Sequence, residues 1–508
     1  MAGTPEIYPP RDQFDQGYAK GIAQLVYTRV VSDLDTPVSV YLKLCGGRDD
    51  SFLLESVEGG EVLGRHSIIG LDPDLIWQAR PGPDGMSRAQ INRTPHKDRS
   101  AFKDDDAPMM ASFQSVLDAS ALEVPSDLAP MAAGLFGYFG YDTVREVEHL
   151  PRPPKPGLDI PTAIFIRPRL VVVFDNIRQE MTFATPVRPD ASVSANAAYA
   201  RALERLARGV AGLKNTVPDE AAPRTTPTRH PGAPRVRPTS NTTRPDFFRM
   251  VEKARQYIEA GDIFQVVLSQ RFSTPFEKPP FALYRSLRRE NPSPFLFFMA
   301  FPGHALVGSS PEILVRVKDE DVTIRPIAGT RPRGKSPEED KALAADLLAD
   351  PKERAEHLML LDLGRNDVGR TTEIGTVTVT DEFIIERYSH VMHIVSNVVG
   401  RLRTGLRPID AVLAGFPAGT VSGAPKVRAM EIIDELEADA RAHYAGAVGY
   451  FAAGGDVDTA ITLRTAIIKD GILHVQAGAG IVHESNPDAE YTECVNKARA
   501  LFTAADKA

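Results

Sequence analysis

The chain has 508 residues with 43% apolar and 25% charged residues, which is typical of a globular protein large enough for two domains or one large composite. Its net charge of −8 argues against nucleic acid as a partner, because a phosphate backbone selects basic surfaces. No apolar run approaches the roughly 18 residues of a membrane helix, and the first residues lack a secretory-signal pattern, so we expect no membrane partner and a cytoplasmic location.

The N-terminal half contains several segments with recognisable patterns. SVYLKL (39–44) and SFLLESV (51–57) are strand-like, and residues 163–175 predict one or two buried strands. The polar and charged stretch 86–108 indicates a surface loop. Residues 195–213 are rich in alanine with a helical apolar stripe, which predicts an amphipathic helix.

A change of composition divides the chain. Residues 216–245 are rich in Pro, Thr and Arg and have almost no apolar periodicity, which predicts a linker or a surface excursion. We therefore expect an N-terminal region over 1–215 and a second region over 246–508.

The second region alternates helix signals with strand-like segments. Thr243 is placed to cap one helix, and Ser336 is placed to cap another, with Glu339 completing a capping box. The segment beginning DPKERAEHLMLLDL (350–363) predicts a further helix. Strand-like segments occur in blocks rather than in strict alternation with helices, so we expect an α+β fold with largely antiparallel sheets.

Three glycine-containing segments are predicted to be loops where a ligand approaches the backbone. They are PIAGTRPRG (326–334), FPAGTVSGAPK (416–426) and QAGAGIV (476–482). In the first, backbone N–H groups beside Gly329, together with the Thr330 hydroxyl, are able to hold an anionic oxygen. A simple turn between a strand and a helix is the alternative.

Two Glu-x-x-Glu pairs lie at the start of predicted helices: Glu353 with Glu356, and Glu490 with Glu493. Carboxylates that converge in a cleft repel one another unless a cation balances them, and hard oxygen ligands suit Mg²⁺. Each residue also has a structural alternative: Glu353 as the partner of a helix N-cap, Glu356 in an ion pair with an arginine, and Glu493 in an i,i+4 pair with Lys497.

Two further polar residues lie in apolar strand-like segments. His393 in HVMHIVS is either a satisfied core histidine or a functional one. Arg464 in ITLRTA is a cation in an apolar strand, and a buried guanidinium requires a carboxylate.

Long segments of the chain resemble the chorismate-utilising enzyme family. The match is carried by GSSPE (308–312), PIAGTRPRG, EHLMLLDLGRND (356–367), FPAGTVSGAPKVRAM (416–430), and QAGAGIV followed by E-x-x-E-x-x-NKA, and it extends through nearly all of residues 245–505. The resemblance implies two large packed antiparallel β-sheets flanked by helices, with the N-terminal and catalytic regions interleaved.

The resemblance also implies a site. Glu356 and Glu493 match the family's Mg²⁺ ligands, with Glu353 and Glu490 beside the metal and its waters. The implied catalytic residues are Glu312 as general acid, His393, Gln265 and Thr420. The positions that resemble the family's chorismate-binding residues, together with Lys497, are Gly329, Thr330, Tyr444, Arg464, Gly478, Ala479 and Gly480.

Two positions select a reaction within the family. Members that activate water have lysine where this chain has Gln265, and many aminodeoxychorismate synthases have lysine where it has Ala328. The resemblance therefore implies the branch that forms anthranilate and pyruvate from chorismate and ammonia, in tryptophan biosynthesis. An aminodeoxychorismate synthase component I is the alternative within the family.

The resemblance implies partners as well. Neither Cys45 nor Cys494 lies in a nucleophile-elbow setting, so a separate glutamine amidotransferase subunit is expected to supply ammonia in a hetero-oligomer. L-Tryptophan is expected as a feedback inhibitor, and the residues resembling its contacts are Ser56, Pro294, Phe295 and Leu296. A two-carboxylate hydrolase using Glu353 and Glu356, and a non-catalytic amino-acid sensor, are the alternatives from other classes.

Overall fold

The computed structural model describes residues 6–58, 62–82, 85–217, 237–388 and 391–508. Most of the predicted linker, residues 218–236, lies outside this set, so the division at 216–245 stays a prediction. Among the residues described, no helix has the length and apolar character needed to cross a membrane.

Strands form most of the framework. In chain order they are β1 (Ile7–Tyr8), β2 (Gln24–Val31), β3 (Ser51–Glu55), β4 (Val57–Glu58), β5 (Val62–Leu63), β6 (His66–Pro81), β7 (Ser87–Asn92), β8 (Lys103–Asp105), β9 (Gly134–Phe139), β10 (Ala163–Asp175), β11 (Glu180–Val187), β12 (Thr239–Ser240), β13 (Gln265–Pro275), β14 (Phe295–Phe301), β15 (His304–Ser310), β16 (Ile313–Lys318), β17 (Asp321–Ile324), β18 (Ile327–Pro332), β19 (Thr378–Arg387), β20 (Val391–Arg401), β21 (Gly423–Ala424), β22 (Ala447–Ala452), β23 (Val457–Ile461), β24 (Thr465–Lys469) and β25 (Ile472–Ile481).

Helices surround the strands. In chain order they are α1 (Arg11–Ala19), α2 (Pro37–Cys45), α3 (Met109–Asp118), α4 (Ala195–Gly212), α5 (Arg244–Glu259), α6 (Pro280–Glu290), α7 (Pro337–Ala349), α8 (Pro351–Gly369), α9 (Pro408–Gly415), α10 (Lys426–Leu436) and α11 (Pro487–Lys507).

The strand pairings, all antiparallel, trace two sheets that share β6 and β10. The first sheet runs β1–β2–β11–β10–β6–β3–β14–β15–β24–β25–β13, with β12 and β21 on the outer edge of β13. The second runs β8–β7–β6–β10–β9–β22–β23–β16–β17–β20, with β18 and β19 also paired to β20.

The shared strands change sheet at a bulge. β10 pairs with β9 through residues 163–166 and with β11 through residues 171–175, and its register against β6 shifts between Arg167 and Pro168. Proline lacks the N–H that a ladder needs, and such a break bends a strand, so Pro168 marks the point where the two sheets part.

Apolar side chains fill the space between the sheets. Phe52 of the first sheet stacks on Phe136 of the second with ring centroids 4.3 Å apart, and Phe297 and Val448 belong to the same buried cluster. Two packed antiparallel sheets flanked by helices, the fold expected from the resemblance, are therefore present.

Two helices matter for the site. α8 packs on β18 and β20 of the second sheet, and α11 packs on β25 of the first. Asp350 caps α8 by accepting hydrogen bonds from the N–H groups of Lys352 and Glu353, and Asn486 caps α11 in the same way. The two helix N-termini therefore approach from opposite sheets.

Two predictions for the N-terminal half were wrong. SVYLKL is not a strand but part of α2, because Thr36 accepts a hydrogen bond from the Ser39 N–H in a capping box and Pro37 begins the helix. Residues 86–108 are not a loop throughout, since they contain β7 and β8. In β7 the small or apolar side chains Ala89 and Ile91 alternate inward among polar ones, which is a strand pattern.

Two predicted glycine loops were also wrong. PIAGTRPRG contains β18, which tolerates Gly329 at φ +74° in a bulge between Ala328 and Thr330. QAGAGIV lies in β25, which pairs with β13 along its whole length. The capping box at Ser336 also differs from expectation, because Glu339 accepts from the N–H of Lys335 rather than from that of Ser336.

Candidate active site

Two of the crossings between the sheets lie side by side. β15 leads into β16 through Pro311 and Glu312, and β23 leads into β24 through residues 462–464. β15 pairs with β24 and β16 with β23, so the two crossings are neighbours. The Ile461 N–H donates to the Glu312 carbonyl at 3.0 Å, and the Ser309 N–H donates to the Arg464 carbonyl at 3.2 Å. The crossings therefore place Glu312 and Arg464 on adjacent segments.

Glu312 is a buried carboxyl group whose polar contact among the described residues is Thr420. Its side chain is 7% exposed, and the Thr420 hydroxyl donates to its Oε1 at 3.0 Å. Burial raises the pKa of Glu312 to about 8, although the Thr420 hydrogen bond lowers it in part. Glu312 is therefore protonated at neutral pH and is able to donate a proton.

Thr420→Val should move the pH dependence of any step that needs protonated Glu312. Removing the hydroxyl removes the hydrogen bond that stabilises the carboxylate, so the pKa of Glu312 rises and the alkaline limb of kcat moves to higher pH. The measurement is kcat against pH at saturating substrate. Thr420→Ser, which keeps the hydroxyl, is the matched control, and an unmoved limb in Thr420→Val contradicts the assignment.

His393 is held in one tautomer by the bulge of β18. Its Nδ1 lies 3.0 Å from the Gly329 carbonyl oxygen and 3.1 Å from the Thr330 hydroxyl. A carbonyl only accepts, so Nδ1 carries the hydrogen and Nε2 is left as an acceptor. Burial lowers the pKa of His393, and the charge of Arg464 lowers it further. The neutral imidazole is therefore available to accept a proton at Nε2.

Arg464 provides a cation that no carboxylate of the described residues neutralises. It has φ +46°, its side chain is largely buried, and burial lowers the pKa of the guanidinium. Within the described part of the chain, no carboxylate pairs with it. The predicted need for a carboxylate is therefore not met by these residues, and an anionic ligand would meet it.

β25 forms a wall that polar groups approach closely. A Cβ on Gly478 would lie 2.7 Å from the Tyr444 hydroxyl oxygen, and a Cβ on Gly480 would lie 2.6 Å from the Gln265 Nε2. Position 478 therefore requires glycine, since a Cβ there would also meet the Leu268 carbonyl oxygen at 2.9 Å, whereas a Cβ on Gly480 would displace the Gln265 amide. Ala479 between them is fully buried, and the Lys497 Nζ donates to the Gly478 carbonyl at 3.0 Å.

The Glu-x-x-Glu pairs of α8 and α11 influence one another electrostatically. Burial is the main factor that raises the pKa of Glu356, and the charges of Glu353 and Glu493 add to it, while a hydrogen bond from Gln265 lowers it. Burial also raises the pKa of Glu490, with a contribution from Glu493. These mutual effects show that the two pairs lie within electrostatic reach.

The structural alternatives for these carboxylates have mixed outcomes. Glu353 accepts a hydrogen bond from Arg331 Nη1 at 3.2 Å and does not return one to its helix cap. Glu356 has no arginine partner in the described residues. Glu493 does pair with Lys497, at 2.7 Å, as the i,i+4 alternative predicted. Within the described ranges no three acidic, histidine or cysteine side chains are already gathered in a metal-binding arrangement.

The residues expected to contact tryptophan line one cavity between the sheets. This inter-sheet cavity of ≈ 730 Å³ is bordered by Ser56, Pro294, Phe295 and Leu296, and its wall also includes Tyr388. Strands β3 and β14 supply one side of it and β22 of the second sheet supplies the other. Its size is that of a pocket for a small organic ligand.

Two neighbours of the site were missed by sequence reasoning. Tyr388 packs its ring against the His393 imidazole, with centroids 5.5 Å apart. Arg331 contacts Glu353 and also pairs with Asp350 at 2.8 Å. The Gly-Thr step in front of Arg331 was the sequence signal that could have pointed to this arginine. A single tyrosine near a strand end, such as Tyr388, gives no such signal.

Comparison with known proteins gives a consistent result. The family model described as chorismate binding enzyme matches residues 72–503. Anthranilate synthase component 1 of Cereibacter sphaeroides is 54% identical over 499 residues, covering 98% of this chain and 97% of the relative. The same-named protein of Pseudomonas aeruginosa is 47% identical over 505 residues, covering 97% and 98%.

Solved structures show the same fold. The crystal structure of anthranilate synthase component I from Streptococcus pneumoniae superposes with a TM-score of 0.74 at 36% identity, covering 93% of this chain and 99% of that one. The isochorismate synthase MenF from Escherichia coli gives a TM-score of 0.67 at 18% identity, covering 97% and 98%, which is a likeness of fold alone.

Proposed function

The chain belongs to the chorismate binding enzyme family, and from that premise we propose that it converts chorismate and ammonia to anthranilate and pyruvate in tryptophan biosynthesis. The observation that carries the proposal is the pair of crossings between the sheets. They place Glu312, a protonated carboxyl group, and Arg464, a guanidinium with no carboxylate partner among the described residues, on adjacent segments. A substrate with a carboxylate and a hydroxyl leaving group, such as chorismate, needs both.

The first step would be an addition with loss of water. Arg464 holds the enolpyruvyl carboxylate of chorismate, and the backbone at Gly480 supports it. Ammonia attacks C2 as the ring double bonds shift and the C4–O bond breaks, and Glu312 gives its proton to the departing hydroxyl, which leaves as water. The added nitrogen then loses a proton, which leaves a neutral amino intermediate.

The second step would be an elimination. The C2–H bond and the bond between C3 and the enolpyruvyl oxygen break, and the C2–H electron pair completes the aromatic ring. The enolate of pyruvate leaves with the C3–O electron pair and takes up a proton from water at its CH2 carbon to become pyruvate. The Nε2 of His393 accepts the C2 proton, because Nδ1 is already committed to the Gly329 carbonyl.

Gln265 would select ammonia over activated water. Its amide lies against Gly480 and donates to Glu356, so it is a neutral positioning group with no basic nitrogen. Ammonia needs no base to become a nucleophile, whereas water does. The neutral side chain therefore suits an amine-forming reaction, and Ala328, buried in β18, leaves out the lysine of many aminodeoxychorismate synthases.

The residues present fit a magnesium ion. Glu356 and Glu493 would hold it, with Glu353 and Glu490 beside it, because the pairs act on one another electrostatically and a cation would relieve the raised pKa values of Glu356 and Glu490. Glu493 would give up Lys497 in doing so. When bound, the ion would neutralise the ring carboxylate of chorismate.

Ammonia would come from a separate glutamine amidotransferase subunit. Both cysteines are buried, Cys45 at 1% exposure and Cys494 fully, and burial raises the pKa of each thiol to about 12. A glutaminase nucleophile must be an accessible thiolate, so neither cysteine suits that role. A hetero-oligomer follows from this part of the proposal.

L-Tryptophan would bind in the inter-sheet cavity as the feedback inhibitor. Phe295, Leu296 and Pro294 offer an apolar surface to an indole, and the Ser56 side chain adds a hydroxyl group. The cavity shares strands with the site yet does not include its catalytic residues, which suits regulation rather than competition.

The proposed reaction has a direct test. Purified protein with chorismate, Mg²⁺ and ammonium should release fluorescent anthranilate, and L-tryptophan should suppress the release. A product that keeps the enolpyruvyl group with a 4-amino group would instead indicate aminodeoxychorismate formation. Turnover that persists in EDTA would favour a two-carboxylate hydrolase, and tryptophan binding without turnover would favour an amino-acid sensor.

A further inference from the structure

One side chain separates the inter-sheet cavity from the catalytic histidine. The ring of Tyr388 borders the cavity, and it meets the His393 imidazole with an interplanar angle of 64°. The charge of Glu312 contributes to a raised pKa of the Tyr388 hydroxyl, whose main cause is burial, so Tyr388 also lies near the proposed general acid. The wall between the two sites is therefore one residue thick here.

The orientation of the Tyr388 ring depends on groups that face the cavity. Its hydroxyl donates to Glu386 Oε2 at 3.0 Å, and Glu386 is ion-paired with Arg325; all three residues border the cavity. The backbone of Tyr388 is fixed separately, because its N–H donates to the Val391 carbonyl and its carbonyl accepts from Arg333. A ligand that forms its own contacts with Glu386 or Arg325 would therefore move the Tyr388 ring and leave the Tyr388 backbone in place.

We propose that Tyr388 is a positioning residue that couples occupancy of the inter-sheet cavity to His393. With the cavity empty, the Glu386–Arg325 pair holds the Tyr388 hydroxyl, and the ring fixes the imidazole in the orientation that the elimination needs. With a ligand bound, that anchor is altered and the imidazole is displaced. The inference rests on the proposed tryptophan regulation, and it requires that the ligand contacts differ between the two arrangements.

Tyr388→Phe isolates the anchor, since it keeps the ring and removes the hydroxyl. L-Tryptophan should still bind, with a Kd measured by calorimetry within about threefold of the unmodified protein, because the apolar wall remains. Inhibition of ammonium-dependent turnover should weaken, so that the ratio of the inhibition constant to the Kd rises by about tenfold, a typical size for coupling between sites. Rates are normalised to each variant without tryptophan.

Tyr388→Leu isolates the contact with His393, because it removes the aromatic ring. We expect kcat to fall by about tenfold while KM for chorismate stays within about twofold, since His393 acts in proton transfer and not in binding. A loss of fold would lower the amount of active enzyme, which active-site titration and circular dichroism would detect.

Tyr450→Phe is the matched control. Tyr450 borders the same cavity, but its ring packs on Phe136 at 5.8 Å rather than on the catalytic histidine. The affinity for tryptophan is free to change in this variant, but inhibition should remain proportional to the fraction of protein with tryptophan bound. The ratio of the inhibition constant to the Kd should therefore stay as in the unmodified protein.

The outcomes separate the inference from the function on which it rests. If inhibition follows occupancy in both Tyr388 variants, the coupling role is overturned. If the unmodified protein binds no tryptophan, the proposed regulation fails, and the kinetics of Tyr388→Leu alone decide the positioning role. In that case a fall in kcat without a change in KM supports it, and a change in KM alone overturns it.

Discussion

Glu312→Gln should lower kcat for anthranilate formation by about 10³-fold, within the range known for the loss of a general acid. Glutamine has nearly the same shape and is still able to pair with the Thr420 hydroxyl, so chorismate affinity should change little. What it lacks is a proton to give to the departing C4 hydroxyl. The buried site also offers no bulk water to replace it, since Glu312 is 7% exposed.

Rapid-quench analysis of chorismate and ammonium turnover measures this effect. Glu312→Gln should show neither consumption of chorismate nor an amino intermediate, whereas His393→Met should consume chorismate and accumulate that intermediate. Glu338→Gln, at an exposed position in the first turn of α7, controls for a glutamate-to-glutamine replacement outside the site. If Glu312→Gln and His393→Met both lose only substrate affinity, the two roles are wrongly assigned.

Glu356→Gln should weaken the apparent affinity for Mg²⁺ by about 100-fold, whereas Glu490→Gln should weaken it by about tenfold, in line with the smaller effect of groups beside a metal. Glu356 is half-buried, has no cationic partner in the described residues, and is crowded by Glu353 and Glu493. A carboxylate in such a position has much to gain from a cation.

Two measurements check this difference: the Mg²⁺ dependence of turnover, and the direct binding of Mn²⁺ followed by electron paramagnetic resonance. The second does not depend on activity, so a loss of catalysis alone cannot imitate it. If the two substitutions have equal effects, the division into a ligand and a supporting residue is contradicted. If neither substitution has an effect, the metal does not bind in this cleft.

Features that depend on residues close together in the sequence were predicted correctly, whereas contacts between distant segments were not predictable from the sequence pattern. The cap at Thr243, the stripe of α4, and the shared helix face of each Glu-x-x-Glu pair all follow from spacings of three or four residues. The proximity of Glu312 to Arg464 depends on the pairing of β15 with β24 and of β16 with β23. The periodicity of a strand's side chains does not indicate which other strands it pairs with. Only the family resemblance suggested that the segments of these two residues are neighbours.

The wrong predictions share physical causes. Glycine is usually a sign of a loop, yet in β18 and β25 it marks close approaches within a strand, where Gly478 and Gly480 make room for Tyr444 and Gln265. SVYLKL has β-branched and aromatic residues, and its capping box prevailed over that preference. Tyr388 was missed because its importance depends on a cavity, and a cavity has no sequence pattern.

The sharing of strands between the two sheets limits how the proposed tryptophan inhibition could be removed by engineering. β3 lies between β6 and β14, and β9 lies between β10 and β22, so N-terminal strands occupy interior positions in both sheets. Truncation before β13 would expose long unpaired strand edges, which invite aggregation. Removal of the proposed tryptophan inhibition must therefore come from point substitutions around the cavity and not from deletion of the upstream half.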